Sequence, residues 1–431
     1  MTNAVGDRPG LLDPALPETG QTLRRNHAVP FLIVAIIALL CLRQDNVVPS
    51  TGLGLSPAYL LALIAGICWL LGKALRLTGL GTGALPVRFA IGGVLLTQVV
   101  GYLALLEHQS FTPPPDTSPL LVPAVLAGLA VFVMDTVHTS EELHRLVRWL
   151  VIAGAIGAGC AVLGVVGHVD LAAITPPGLR ATPELGQPIP RDGITRAQGT
   201  AAHPLELAAV MTVLFPLAVH CLLAATRRWP WLIALALIGA AGALSISRSF
   251  FVGLAVEFVV LALYWPLRRT AVVLGCAVVG VLALLVAKGG VIGLFVRLFT
   301  QGSGDDSLLH RTLARQVAYA LFDAHPVFGL GLGSYDTSHY PVLDNQYLGL
   351  LVETGIVGLV GFLCYLGAAA WAAFTRSTTH RDLGAALGAS IVAYAVINLI
   401  LDTAGFLQIS ALAAILVGLT GALHRLRRTP T

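Results

Sequence analysis

Long apolar runs separated by short polar breaks dominate the chain, and strand-like alternation is rare. An α-helix needs about 20 apolar residues to cross a bilayer core. Measured against that length, the sequence predicts twelve spans, at roughly 28–48, 55–75, 87–106, 118–136, 147–167, 203–225, 229–246, 249–267, 270–288, 347–374, 383–402 and 405–423. Arg43 and Asp45 cut the first, and the seventh and eighth meet in a minimal turn near Ser247. The expected organisation is a polar tail (1–27), one transmembrane domain (28–423) and a short basic tail (424–431). Two longer connections, 168–202 and 289–346, stand out from the short ones. The fold class is therefore all-α and polytopic.

Basic residues orient the spans. With the N-terminal tail in the cytoplasm, Arg8, Arg24, Arg25, Lys73, Arg76, Arg88, Arg145, Arg148, Arg227, Arg228, Arg268, Arg269, Arg376, Arg381, Arg425, Arg427 and Arg428 fall on one side. These are 17 of the 26 Lys and Arg residues, and every connection on that side carries at least two. Such regularity predicts cytoplasmic termini. The first 27 residues are polar, so the first apolar run is expected to stay as a span and not to be removed as a leader.

Composition narrows the class. Hydrophobic residues make up 56% of the 431 and charged ones 11%, with mean hydropathy +0.83. A water-soluble domain carries about 25% charged residues, so this chain belongs in a membrane. A net charge of +4 gives no support to a nucleic-acid partner. Cys41, Cys68, Cys160, Cys221, Cys276 and Cys364 all lie in apolar stretches without CxxC spacing and read as small hydrophobes. Only Lys73 and Lys288 are lysines, a bias that suggests a GC-rich bacterial source.

The remaining nine basic residues face out against the bias. Among them are Arg180, Arg191 and Arg196 in 168–202, Arg248 between two spans, and Arg297, Arg311 and Arg315 in 289–346. In the long connection, Asp306 or Ser307 can cap a helix running to about Asp323. Leu309, Leu313, Val317 and Leu321 would form its apolar face, with Arg311 and Arg315 one turn apart on another. His325-Pro326 would end it, and the Gly329-Leu-Gly331-Leu-Gly333 run would make a tight turn at the membrane surface. That run is not a dinucleotide fingerprint, because no strand precedes it.

The series from Arg311 through His325-Pro326-Val-Phe-Gly329-Leu-Gly331-Leu-Gly333, Asn345, Tyr347-Leu348 and Glu353-Thr-Gly355-Ile-Val-Gly358 resembles the signature region of the O-antigen ligase-like superfamily. That superfamily holds lipopolysaccharide O-antigen ligases, Wzy-type polysaccharide polymerases and protein O-oligosaccharyltransferases. Arg196-Ala-Gln-Gly199-Thr200 with His203-Pro204, and Ser247-Arg248-Ser249, resemble two further stretches of it. The resemblance runs from about Arg196 to Leu359, while the first 170 residues match in hydropathy alone. The ligases carry His-Asn where this chain has Asp344-Asn345, and a carboxylate can take the same general-base role.

The resemblance implies a GT-C-like architecture in a bacterial inner membrane, with the active site on the extracytoplasmic face. It also implies transfer of a glycan from a polyprenyl (undecaprenyl) diphosphate to an acceptor hydroxyl on a lipid or glycan, with inversion at the anomeric carbon. Arginine forks suit the diphosphate leaving group, because they bind phosphate oxygens bidentately and keep their charge. Arg248 and Arg311 are the expected catalytic clamp, with Asp344 as the base on the acceptor. Arg315, Arg196, His203, His325, His339, Asn345 and Tyr347 are the expected substrate-binding residues. Asp305-Asp306 is the one acidic pair in the outer connections, so no metal or other cofactor is expected.

Each residue also has a plainer role. Arg248 can be a snorkelling anchor, Arg315 a partner of Asp323, and Asp344 the N-cap of the tenth span. Tyr335, Tyr340 and Tyr347 can be interface aromatics. A second function class also stands open, a proton-coupled transporter or flippase. Glu206, Glu257 and Glu353 lie within or at spans as such a carrier requires.

Overall fold

The structure, a computed structural model, describes residues 26–44, 46–48, 55–75, 85–108, 118–171, 174–181, 190–191, 194–271, 273, 275, 306–335, 337, 339–375 and 380–426. Its helices, in chain order, are α1 (Ala28–Cys41), α2 (Pro57–Ala74), α3 (Leu85–His108), α4 (Ser118–Thr136), α5 (Ser140–Val166), α6 (Pro204–Ala224), α7 (Trp229–Leu244), α8 (Arg248–Tyr264), α9 (Asp306–Ala324), α10 (Gln346–Phe374), α11 (Arg381–Ile397) and α12 (Leu407–Leu426). Seven of these, α2 to α6, α10 and α12, are long and apolar enough to cross a membrane, while α1 and α7 are shorter apolar helices. The protein is an all-helical, polytopic membrane protein. Most of the ninth expected span, 270–288, lies outside the described residues.

Local chemistry sets the helix ends. Thr139 and Glu142 form a capping box, so α5 starts seven residues earlier than the apolar run predicted and takes Arg145 and Arg148 into its first turns. Ser56 caps α2, whose first residue is Pro57. The first expected span is cut to 14 residues, ending at Cys41 before Arg43. Asn46 and Val47 (β1) then pair antiparallel with Arg180 and Ala181 (β2), and a second short ladder joins Pro190–Arg191 (β3) to Ile194–Thr195 (β4). The connection 168–202 is thus tied to the end of α1. The basic C-terminal stretch is partly helical, since α12 carries His424 and Arg425 in its last turn.

Burial separates centre from rim. Of the most apolar stretch of each span, 94% is buried in α12 and 72% in α6, against 22–28% in α2, α3 and α10. Hence α12 and α6 form the core and the other three present most of their surface to lipid. Small residues allow close crossings, as in other membrane bundles. Gly66 of α2 meets Gly128 of α4 almost backbone to backbone, and Gly418 of α12 sits against the carbonyl of Ala130.

Contacts between helix ends define two faces of the bundle. On one, Asp135 at the end of α4 meets Lys73 of α2, Arg88 of α3 and Arg425 of α12, and Ser140 of α5 meets His380 before α11. On the other, the end of α1 and the starts of α6 and α12 converge through Thr200, Glu206 and Gln408. The functional candidates gather on this second face.

Candidate functional site

The loop helix α9 lies against the first turns of α10. Its buried stripe is Ala314 and Ala318, with Leu321 beside them, packed on Leu343, Leu348 and Val352. This differs from the expected apolar face: Leu313 is 44% exposed. Two alanines one turn apart let the helix approach closely, and that approach turns Arg311 toward the start of α10. There Arg311 Nε donates to Asp344 Oδ2 at 3.0 Å. Arg315, the next turn along, is exposed, and its Nε donates to the Arg311 carbonyl at 3.3 Å instead of meeting Asp323.

Asp344 is not the cap of α10. Asn345 fills that role, its Oδ1 accepting the amides of Tyr347 (3.0 Å) and Leu348 (3.1 Å). The Asp344 carboxylate is therefore available to Arg311. Tyr347 is a brace, with its hydroxyl donating to the Ala395 carbonyl of α11 at 2.6 Å and its ring beside Phe362.

From the other side come Arg196 and His203. Arg196 is buried, and its Nε donates to the Ser245 carbonyl at 2.8 Å, while Ala197 N donates to Leu244 O at 2.9 Å. These bonds fasten the 196–203 segment to the turn between α7 and α8, which presents Arg248 at the first position of α8. Within that turn Ile246 holds φ +51°, a left-handed conformation costly for a β-branched residue. Ser247 and Ser249 share a hydrogen bond of 2.6 Å beside it.

His203 caps α6, its Nδ1 accepting Leu205 N at 3.0 Å, and packs on Phe406. Burial, reinforced by the Arg196 charge, pushes its pKa down to about 4, with Asp344 pulling it the other way. His203 thus lies within electrostatic reach of both Arg196 and Asp344. Asp402, between α11 and α12, lies within electrostatic reach of Asp344. Burial raises its pKa, the amides of Ala404 and Gly405 lower it, and the Asp344 charge adds to the rise.

The glycine run makes the floor. Gly329, Gly331 and Gly333 have φ of +73°, +115° and +79°. Helix α10 is broken at Gly355 (φ 63°, ψ −162°), which leaves backbone groups to be satisfied from elsewhere. Leu330 N and Gly331 N donate to the Val352 and Glu353 carbonyls at 2.8 and 2.9 Å, and Ile356 N donates to Pro326 O at 3.0 Å. A Cβ on Gly331 would stand 2.4 Å from the Leu105 backbone, and one on Gly355 2.3 Å from the Val327 carbonyl. His325 ends α9 as expected, its carbonyl accepting Gly329 N at 3.0 Å, while His339 is exposed beyond the run.

Two of the three carboxylates suited to a carrier have structural work. Glu353 accepts Tyr335 N at 3.3 Å and so ties the glycine run to α10. Glu206 accepts Ala202 N and Gln408 N, both at 2.8 Å, joining α6 to α12. Glu257 is buried in α8, and neither carboxyl oxygen has a hydrogen-bond partner among the described residues. Beside Glu353, a cavity of about 310 Å³ opens between α3, α4, α10 and α12, walled by apolar side chains and by Gln98, Gln346 and Tyr394.

Residues 232–363 match the family model described as O-antigen ligase. The match supports membership of the O-antigen ligase-like superfamily. The matched third of the chain runs from α7 through α8 and α9 to the middle of α10, and so includes Arg248, Arg311, Asp344 and the Gly355 break. Arg196 and His203 lie outside the match, although their contacts bring them to the same face. No curated protein matched the chain. The sequence alone did not reveal Asp402 or the Gly355 break. The signals for them were the Asp402-Thr-Ala-Gly405 turn and a Gly-x-x-Gly inside a span.

Proposed function

We propose that this protein is a membrane glycosyltransferase that moves a glycan from a polyprenyl diphosphate to an acceptor hydroxyl, as an O-antigen ligase or a polysaccharide polymerase. The observation that carries the reading is the 3.0 Å contact between Arg311 and Asp344, made by a loop helix laid over the start of a span. It couples an anion-binding fork to a carboxylate at one point on the membrane surface. The match to the O-antigen ligase family over these residues supports the same reaction class.

In the proposed reaction, the donor diphosphate draws the Arg311 guanidinium from Asp344, with Arg248 and Arg196 adding positive charge. Asp344, released, accepts the proton of the acceptor hydroxyl as its oxygen attacks the anomeric carbon. The bond from that carbon to the phosphate oxygen breaks on the opposite face, and its electron pair leaves with the polyprenyl diphosphate. The arginine charges grow in value as negative charge builds on the leaving group, which is transition-state stabilisation without a metal. The apolar cavity beside Gln346 suits the first isoprene units of the donor. By the regularity of the basic residues, the working face is extracytoplasmic and both termini are cytoplasmic.

The test is transfer by purified protein from a polyprenyl-diphosphate oligosaccharide, followed by release of polyprenyl diphosphate. A product ladder marks a polymerase and a single product a ligase. Release that is equal in wild type, Arg311→Ala and Asp344→Asn overturns the assignment.

A further inference from the structure

Between the glycine floor and Asp344, two tyrosines of the outer connection stack on each other. The rings of Tyr335 and Tyr340 have centroids 5.2 Å apart and planes 24° from parallel. Three contacts fix Tyr335. Its amide donates to Glu353 Oε1 at 3.3 Å, and its hydroxyl donates to the Pro341 carbonyl at 2.5 Å. Its ring packs on the cluster of Ala314, Ala318 and Leu343 that docks α9 on α10. Tyr340 lies over that ring and is partly exposed, and Thr337 and His339 near it are exposed, so the stack reaches the outer surface.

An aromatic anchor at a membrane interface sets its ring in lipid and its polar tip in water. Tyr335 does neither, since its ring meets the docking stripe of α9 and its hydroxyl turns back to the chain. That hydrogen bond closes the loop and holds the two rings as one flat block. Rigid aromatic surface of this kind binds with little loss of side-chain freedom. The block is also close to the carboxylate. Pro341 is three residues before Asp344, and three residues of chain reach at most about 10 Å. Arg311 is three residues before Ala314 on the same docked helix. An uncharged aromatic surface therefore stands beside the charged Arg311–Asp344 pair.

We propose that the Tyr335–Tyr340 stack is a subsite for a sugar of the acceptor, an inference that rests on the transferase reading above. A pyranose presents C–H bonds on one face, and their positive hydrogens are drawn to the negative face of an aromatic ring. The arginines suit the diphosphate, while a neutral sugar needs a neutral surface of this kind. Asp344 is the base on the acceptor hydroxyl in the proposed reaction. A ring block within about 10 Å of it meets the sugar carrying that hydroxyl, or the next one along the chain. The acceptor is then a glycan held by a ring face, and not a bare lipid alcohol.

Saturation-transfer NMR on the full-length protein in nanodiscs tests this without requiring turnover. The probes are the methyl glycosides of glucose, galactose, mannose, rhamnose and N-acetylglucosamine. Wild type should transfer signal to at least one of them, chiefly to the C–H protons of one ring face. Tyr340→Phe should keep that signal, and Tyr340→Ala should weaken binding about tenfold. Tyr319→Ala, which removes a 52% exposed tyrosine of α9, should leave it unchanged. Should Tyr340→Ala not fold, Tyr340→Leu keeps apolar bulk without an aromatic face and reads the same contrast. No signal from wild type with any glycoside, or equal signal after loss of the Tyr340 ring, overturns the proposal. In transfer assays Tyr340→Ala should raise acceptor KM about tenfold and leave donor KM unchanged. A rise in donor KM alone overturns the assignment to the acceptor. Ring-dependent sugar binding without release of polyprenyl diphosphate would remove the transferase reading and leave the sugar subsite standing.

Discussion

Arg311 on the loop helix and Asp344 at the start of α10 are 33 residues apart in sequence and 3.0 Å apart in space. Both side chains are partly exposed, at 41% and 32%, so the pair is open to a ligand and is no buried strut. An exposed ion pair is worth at most about 1 kcal/mol. Asp344→Asn should therefore leave the melting temperature nearly unchanged. As loss of a general base it should lower kcat about 10²- to 10⁴-fold with little change in donor KM. Steady-state transfer assays and a thermal melt of the variant check both halves.

Arg311→Lys distinguishes a charge from a fork. If the guanidinium binds diphosphate oxygens bidentately, lysine keeps the charge and loses the geometry. The variant should raise donor KM and lower kcat, though less than Arg311→Ala. A lysine variant as active as wild type would reduce Arg311 to a point charge.

Arg196 behaves differently, because it is buried and bonded to the Ser245 carbonyl at 2.8 Å. Arg196→Ala should cost stability as well as activity. Losing a charged donor to a buried acceptor costs about 1.5–3 kcal/mol. A melt of the variant in detergent should show the drop.

The glycine floor gives a sharp contrast in stability. Gly331→Ala and Gly355→Ala each force a Cβ onto neighbouring backbone in a left-handed conformation, with strain of about 1–3 kcal/mol before the clash is counted. Gly349→Ala, in a helical position with nothing within 4 Å of the added carbon, should be neutral or slightly stabilising. Thermal melts of the three variants give the ranking.

For pH dependence, His203 has a folded pKa of about 4, below the unfolded value of about 6.5. As pH falls through that window the unfolded chain takes up a proton that the folded chain refuses. Stability is thus lost from about pH 6.5 down to about 4 and is unaffected above. His203→Asn keeps a capping side chain without the titration. A melting curve against pH should be flatter for this variant than for wild type.

Most of the described helices were legible in the sequence, seven of them long and apolar enough to cross a membrane, because lipid imposes one rule, that about 20 apolar residues make a spanning helix. Arg311 and Asp344 were legible as candidates for a related reason: charge placed on a membrane face against the basic bias has to be held by something. The pairing itself was not legible. It depends on Ala314 and Ala318, which look like ordinary helix formers until α9 is docked on α10. Which residue caps α10 turned on one position, and Asn345 took the place that Asp344 alone would also have filled. The Gly355 break was hidden because the partners of its freed backbone groups come from the glycine run some 20 residues earlier. Glu206 and Glu353 suggested proton carriage from sequence; what the sequence did not show is that they accept backbone amides, Glu206 from Ala202 and Gln408 and Glu353 from Tyr335.

The most direct test of the central claim is release of polyprenyl diphosphate by purified protein in liposomes, with a polyprenyl-diphosphate oligosaccharide and an acceptor. EDTA is present, and neither nucleotide nor an ion gradient is supplied. Wild type should release product, Asp344→Asn and Arg311→Ala should fall at least about a hundredfold, and Glu257→Gln should match wild type. Silence of the wild type in every donor and acceptor pairing, together with gradient-driven flux that Glu257→Gln abolishes, would contradict the account and favour a carrier.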